Sequence, residues 1–198
     1  MKTLFLVFIT CLSLHLPERK HHTKIVTTNI DTSVLALENK KEAIDDYLKK
    51  HQKEIITLAK VAGKKKPVRV LNNKWPDGVE YSYNILKNKS GKIIFIMQSP
   101  FSESGDWDIE YHHYFDEDGK TYAFSREESV FGDIKGGIIR MLLFKYYGGN
   151  FNIIGTTTKF MDVNFKPIKV KEGQYDFRDD KYSIHKSVGD CLVAYHIQ

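Results

Sequence analysis

The stretch that decides the fold is Trp107-Asp-Ile-Glu-Tyr-His-His-Tyr-Phe-Asp-Glu-Asp-Gly-Lys-Thr-Tyr-Ala-Phe124. Trp107, Ile109, Tyr111, His113 and Phe115 alternate with Asp108, Glu110, His112, Tyr114 and Asp116, the period of two that belongs to a half-buried β-strand. Asp118-Gly119 then turns the chain into a second aromatic strand. A two-residue turn sets Phe115 against Tyr122 and His113 against Phe124, keeping aromatic residues on one face. A three-residue loop would set Tyr114 against Tyr122 and Glu110 against Arg126. The first register is expected, because a one-residue slip would carry the acidic set into the core.

The same reading extends outward. Val79, Tyr81, Tyr83 and Ile85 alternate with polar residues, Asn88-Lys-Ser-Gly91 is a turn, and the apolar run Ile93 to Met97 suits a central strand. Ile138 to Tyr147 is bracketed by paired glycines and reads as strand over short helix. Phe151 to Thr158, Phe160 to Val163 and Phe165 to Val170 would continue the meander.

Upstream the period changes. Asn39 with Glu42 has the spacing of a capping box, followed by Ile44, Leu48, Ile55, Leu58, Ala59 and Ala62 at helical spacing. An amphipathic helix is expected from there to Gly63, with Lys64-Lys65-Lys66-Pro67 ending it. Ile184, Val188, Cys191, Leu192 and Tyr195 are spaced for a short C-terminal helix. The fold class expected is therefore α+β, an N-terminal amphipathic helix packed on a mostly antiparallel meander sheet.

The chain's 198 residues suit one folded domain, expected over residues 38–198. Met1-Lys2 followed by the apolar run Leu4 to Leu16 and then Pro17-Glu18-Arg19-Lys20 reads as a signal peptide over residues 1–16. Residues 17–37 read as a tether. The run is too short to span a bilayer, which takes about 20 apolar residues. Val7-Phe-Ile-Thr-Cys11 also has the outline of a lipobox, which would make Cys11 a lipidation site; otherwise Cys11 leaves with the signal peptide. Export to the periplasm, cell envelope or outside is expected, with peripheral membrane association through a lipid anchor if Cys11 is modified.

The net charge of +5 is unevenly placed. Residues 1–66 carry thirteen Lys+Arg against seven Asp+Glu, a net of +6, and residues 67–198 carry seventeen against eighteen, a net of −1. The expected sheet thus lacks the basic excess of a nucleic-acid-binding face, and no nucleic-acid partner is expected.

Walker A, G-x-G-x-x-G, G-x-S-x-G and H-E-x-x-H patterns are all missing from the sequence. Asp116-Glu-Asp-Gly119 lacks the ligand spacing of a calcium loop and is explained by a turn. His112 and His113 are adjacent on a strand, so they point to opposite faces and cannot share one metal. Cys191 falls on an apolar helical stripe, where a thiol is a small hydrophobe. No metal and no cofactor are expected, and no catalytic residue is assigned.

The face carrying Asp108, Glu110, His112 and Tyr114 is the candidate binding surface, expected to look outward. The function expected is an exported, envelope-associated, non-catalytic binding protein for an unknown protein or small-molecule ligand. The rivals are a hydrolase-type enzyme using dispersed carboxylates and His112, or an inhibitor or immunity-type protein presenting its acidic face.

Overall fold

The computed structural model describes residues 32–131, 137–171, 174–175, 177–178 and 181–197. The expected signal peptide, most of the expected tether and Cys11 lie outside the described residues. The described chain is dominated by one eight-stranded antiparallel sheet, joined by an N-terminal helix and a short C-terminal one. The strands are β1 Ile56–Val61, β2 Val68–Arg69, β3 Val79–Lys87, β4 Ile93–Pro100, β5 Trp107–Phe115, β6 Thr121–Phe131, β7 Ile138–Tyr147 and β8 Ile153–Met161. Their order is β2-β1-β3-β4-β5-β6-β7-β8, so from β3 onward each strand pairs with the next in sequence. Among the described residues no helix is long and apolar enough to cross a membrane.

The helix is displaced from its expected place. α1 runs Thr32–Lys50, beginning seven residues before Asn39, which is exposed and lies within it. Its buried stripe starts at Val34 and continues through Leu37, Lys41, Ile44 and Leu48, a continuous three-and-four spacing. Lys41 hides that stripe in the sequence. It is 8% exposed, holds its ammonium over the Tyr114 and Phe144 rings at 5.0 and 4.8 Å, and pairs it with Asp45 Oδ2 at 2.7 Å. His51 closes the helix, its ring stacked on Tyr47 at 3.7 Å and its Nδ1–H donating to the Tyr47 carbonyl at 2.8 Å.

Residues Ile55 to Ala62 are therefore not helical. Ile55-Ile56-Thr57 are three β-branched residues in succession, which favour strand, and β1 pairs Ile56 with Ile85 and Leu58 with Tyr83. Gly63, at φ +74°, sits in the turn after β1 instead of capping a helix. The expected strand over Phe165 to Val170 is also missing. It is reduced to a bridge from Pro167 to Met161 and the Ile168 N–H donating to the Phe160 carbonyl at 3.0 Å, since proline has no N–H to extend a ladder.

The central hairpin reconciles both candidate registers. Asp116 N–H donates to Lys120 O, and Phe115 pairs with Thr121, so the loop has three residues. A bulge at Tyr122 then restores the other register, with Tyr114 opposite Ala123, His113 opposite Phe124 and Glu110 opposite Glu127. The device recurs. In the β3–β4 and β7–β8 hairpins the last strand residue pairs across a three-residue loop, and a shift at Ile94 or Ile154 follows. All three bulged residues pack under α1. A fourth turn of the same form closes Asp162 to Lys166. The loop's last residue needs positive φ, supplied by Gly91 and Gly119 but by Phe151 and Phe165 in the other two turns.

Both faces of the sheet are covered. Leu86, Phe95, Tyr114, Ala123 and Tyr146 meet α1. The opposite face splits into Tyr83, Ile85, Ile96 and Phe115 under α2 (Val188–Ala194), and Ile109, Tyr111, Phe124 and Tyr147 under Tyr182 and Ile184.

Candidate functional site

The candidate binding face of β5 does not look outward as a unit. Asp108 is exposed and Glu110 partly so, but His112 is 7% and Tyr114 2% exposed. The reason is α1, which lies over this face at the hairpin end. Tyr114 donates its hydroxyl to Asp45 Oδ1 of α1 at 2.9 Å, so it is a structural contact and not a ligand contact. Strict alternation in the sequence marks two environments, one aromatic and one mixed, both covered for part of the strand's length.

Beyond the helix the pairing gathers a compact polar cluster. Glu110 sits opposite Glu127 and His112 opposite Ser125. His112 Nε2 meets Glu110 Oε2 at 2.8 Å, while its Nδ1 lies 3.1 Å from Ser125 Oγ and 3.6 Å from Glu127 Oε1. Phe95 walls the ring at 5.3 Å between centroids. Burial alone would depress the His112 ring, but the hydrogen bond and charge of Glu110, with Glu127, outweigh it and raise its pKa. Burial acts to raise the Glu110 carboxyl, yet the His112 hydrogen bond and charge, helped by Arg140, hold it below its ordinary value. Asp108, two residues along the same face, is raised by burial and then by Glu110. The cluster is built to hold positive charge between two carboxylates.

His113 behaves in the opposite way. It is fully buried on the other face, accepts the His185 backbone N–H at its Nε2, and is pushed down to about 3 by burial and by His185 and His112. Two adjacent histidines thus carry opposite shifts because a strand sends them to opposite faces.

Two further sequence candidates are occupied structurally. Asp116 Oδ1 accepts the Asp118 and Lys120 backbone N–H groups, closing its own turn. Cys191 is wholly buried among Phe115, Ile96 and Tyr195, and burial pushes its thiol up, away from the nucleophilic form.

A further concave surface was not legible in the sequence. It is a groove of about 820 Å³ at the end of the sheet away from the hairpin tips, on the face opposite the His112 cluster. Tyr81, Tyr83, Phe101, Trp107 and Tyr111 line its sheet side. Tyr182 and Tyr195 close it from the C-terminal segment, with Tyr195 stacked on Tyr83 at 4.9 Å. Lys60, Arg178 and Lys181 bring positive charge to the lining and Glu80 the negative; Lys60 Nζ is 3.5 Å from Glu80 Oε2, and Arg178 lies over the Trp107 ring at 4.5 Å. Tyr195 is 6% exposed and its hydroxyl has no hydrogen-bond partner among the described residues. Burial raises its pKa, and pushes the Tyr83 phenol up to about 12, so both remain neutral donors. The signal in the sequence was only the aromatic residues near the far ends of β3, β4 and β5, which strand alternation assigns to the core.

The C-terminal segment that walls this groove is pinned from below. Glu128, with no exposed side-chain surface, accepts from Arg126 Nη2 at 2.7 Å and from the Arg178 backbone N–H at 2.7 Å, and Arg126 also donates to the Arg178 carbonyl. No protein-family model, curated protein or solved structure matches the chain.

Proposed function

We propose that this protein is an exported, envelope-associated, non-catalytic binding protein whose ligand lies in the aromatic groove at the open end of the sheet. The observation that carries this reading is the groove's lining, which joins several aromatic faces to a positive rim. A cavity of this volume suits a small molecule or a short stretch of a polymer. Aromatic faces favour a flat apolar surface, and the charges of Lys181, Lys60 and Arg178 favour oxygen acceptors over donors. An acidic sugar or another anionic ring compound has both properties. The export part of the reading rests on Lys2, the apolar run to Leu16 and, for a lipid anchor, Cys11.

The hydrolase reading draws its support from the Glu110–His112 pair, a carboxylate-held imidazole. That pair lies on the other side of the sheet from the groove, which favours binding over catalysis there.

The test uses fluorescence. Trp107 lines the groove and Trp75 is half exposed elsewhere, so a Trp75→Phe variant leaves Trp107 as the reporter. Titration with acidic oligogalacturonate should shift its emission saturably, neutral oligosaccharide should not, and Tyr81→Ala or Lys181→Ala should weaken the response. No response to the acidic probe, or hydrolysis of it that His112→Gln abolishes, overturns the proposal.

A further inference from the structure

We infer that Glu110, His112 and Glu127 form a binding site for one first-row divalent metal ion of the zinc class on the α1 face of the sheet. One imidazole and two carboxylates are the mixed nitrogen and oxygen set that such ions take. A donor atom from each residue lies within 4.8 Å of the other two. Glu110 Oε2 and His112 Nε2 are hydrogen-bonded at 2.8 Å, and an ion taking the place of that proton would open them to a tetrahedral spacing.

The strand register builds this site and makes it need a cation. Glu110 lies directly opposite Glu127, and like charges in opposed positions repel. The two carboxylates, on side chains 28% and 37% exposed, leave an entry from solvent and room for water in the remaining positions.

A separate observation points the same way. The His112 side chain is nine-tenths buried and its Nδ1 lies 3.1 Å from the hydroxyl of Ser125, a residue with no exposed surface. A ligating histidine characteristically fixes its second nitrogen on such an oxygen, which presents the other nitrogen to the metal. Here the presented nitrogen is Nε2, the one beside Glu110.

Three other charged groups face the cluster. Lys41 and Arg140 oppose a cation, although Lys41 Nζ is held by Asp45 at 2.7 Å and Arg140 Nη1 donates to Ser129 Oγ at 3.2 Å. Asp108 adds negative charge beside Glu110. A proton on His112 is the rival occupant of the same position, and the experiment separates the two.

The full chain carrying His21→Ala and His22→Ala, which removes the other histidine pair, is titrated with Co²⁺ by visible absorption and with Zn²⁺ by calorimetry. The expected result is saturable 1:1 binding, with cobalt bands that Zn²⁺ displaces. Glu127→Gln and His112→Gln should each lose the bands, and Ser125→Ala should weaken binding roughly 10- to 100-fold. Circular dichroism checks folding; if His112→Gln does not fold, Glu110→Gln and Glu127→Gln, at more exposed positions, carry the test. Absence of saturable Zn²⁺ binding, or binding unchanged in both glutamine variants, overturns the site and leaves His112 holding a proton.

Discussion

The two ends of the sheet use the same residues for different ends. At the hairpin tips, Tyr114, Phe95, Tyr122 and Tyr146 are 2% to 4% exposed, sealed by α1. At the open end, Tyr81 is 39%, Phe101 58% and Phe131 63% exposed. Aromatic composition is equal in kind at both, so what differs is the cover. Each tip carries a bulge that turns one more side chain toward the helix, while the open end has only the C-terminal segment, tied down through Glu128. An aromatic residue on this sheet is structural or available according to what covers it.

The largest expected effect tests that division directly. Phe124, fully buried, should cost about 3–5 kcal/mol when replaced by alanine, whereas Phe101→Ala should change stability by no more than about 0.5 kcal/mol. Urea unfolding of both variants measures the difference. Similar losses would erase the distinction between the two ends.

A middle-sized effect comes from the adjacent histidines and sharpens the comparison between faces. His113 is neutral when folded, with its pKa lowered from 6.5 to about 3. The unfolded chain therefore binds the extra proton, so this contribution is full above about pH 6.5 and is lost as pH falls toward 3. The slope in that window should reach at most about 1.4 kcal/mol per pH unit. His112 has the opposite sign: its raised pKa contributes stability below the unfolded value, lost as pH rises through the folded one. Stability measured between pH 7 and 4 should therefore fall less steeply in His113→Gln and more steeply in His112→Gln. Identical acid slopes in all three proteins would count against the opposed assignments.

The smallest effects lie in the turns. Gly119→Ala should cost about 1–2 kcal/mol, because φ is +74° there and the added methyl meets only Val188 at 3.6 Å, an ordinary contact. Phe165→Gly relieves the same backbone strain but loses the stacking of Arg140 over its ring at 4.7 Å, worth about 0.5–1 kcal/mol, so its net change should lie within about 1 kcal/mol of zero. Thermal unfolding of the two variants distinguishes them.

Strands were the legible part, because Val79 to Ile85, Ile93 to Met97 and Trp107 to Phe115 write their period of two into adjacent residues. The helix was legible in kind but not in place. Lys41 interrupts its stripe with a buried charged side chain, and Ile55 to Ala62 mimic helical spacing although Ile56–Val61 is strand. The hairpin register needed a bulge that no local residue type announces. The site fared worst: Glu110 and His112 stood out, but their partners Ser125 and Glu127 come from pairing, and the groove joins residues of β1, β3, β4 and β5 to the distant C-terminal segment.

The helix's position has a consequence for the order in which the chain is made. Val34 of α1 packs so closely on β8 that a Cβ at Gly155 would lie 3.0 Å from its methyl carbon, and Asp45 is tied to Tyr114. A growing chain emerges N-terminus first, at about 5–20 residues per second. Each hairpin can close as soon as its second strand has emerged, but α1 leads them all and its seat is completed only with Gly155. For more than a hundred residues of growth, the apolar side of the first helix has only part of its sheet to lie on.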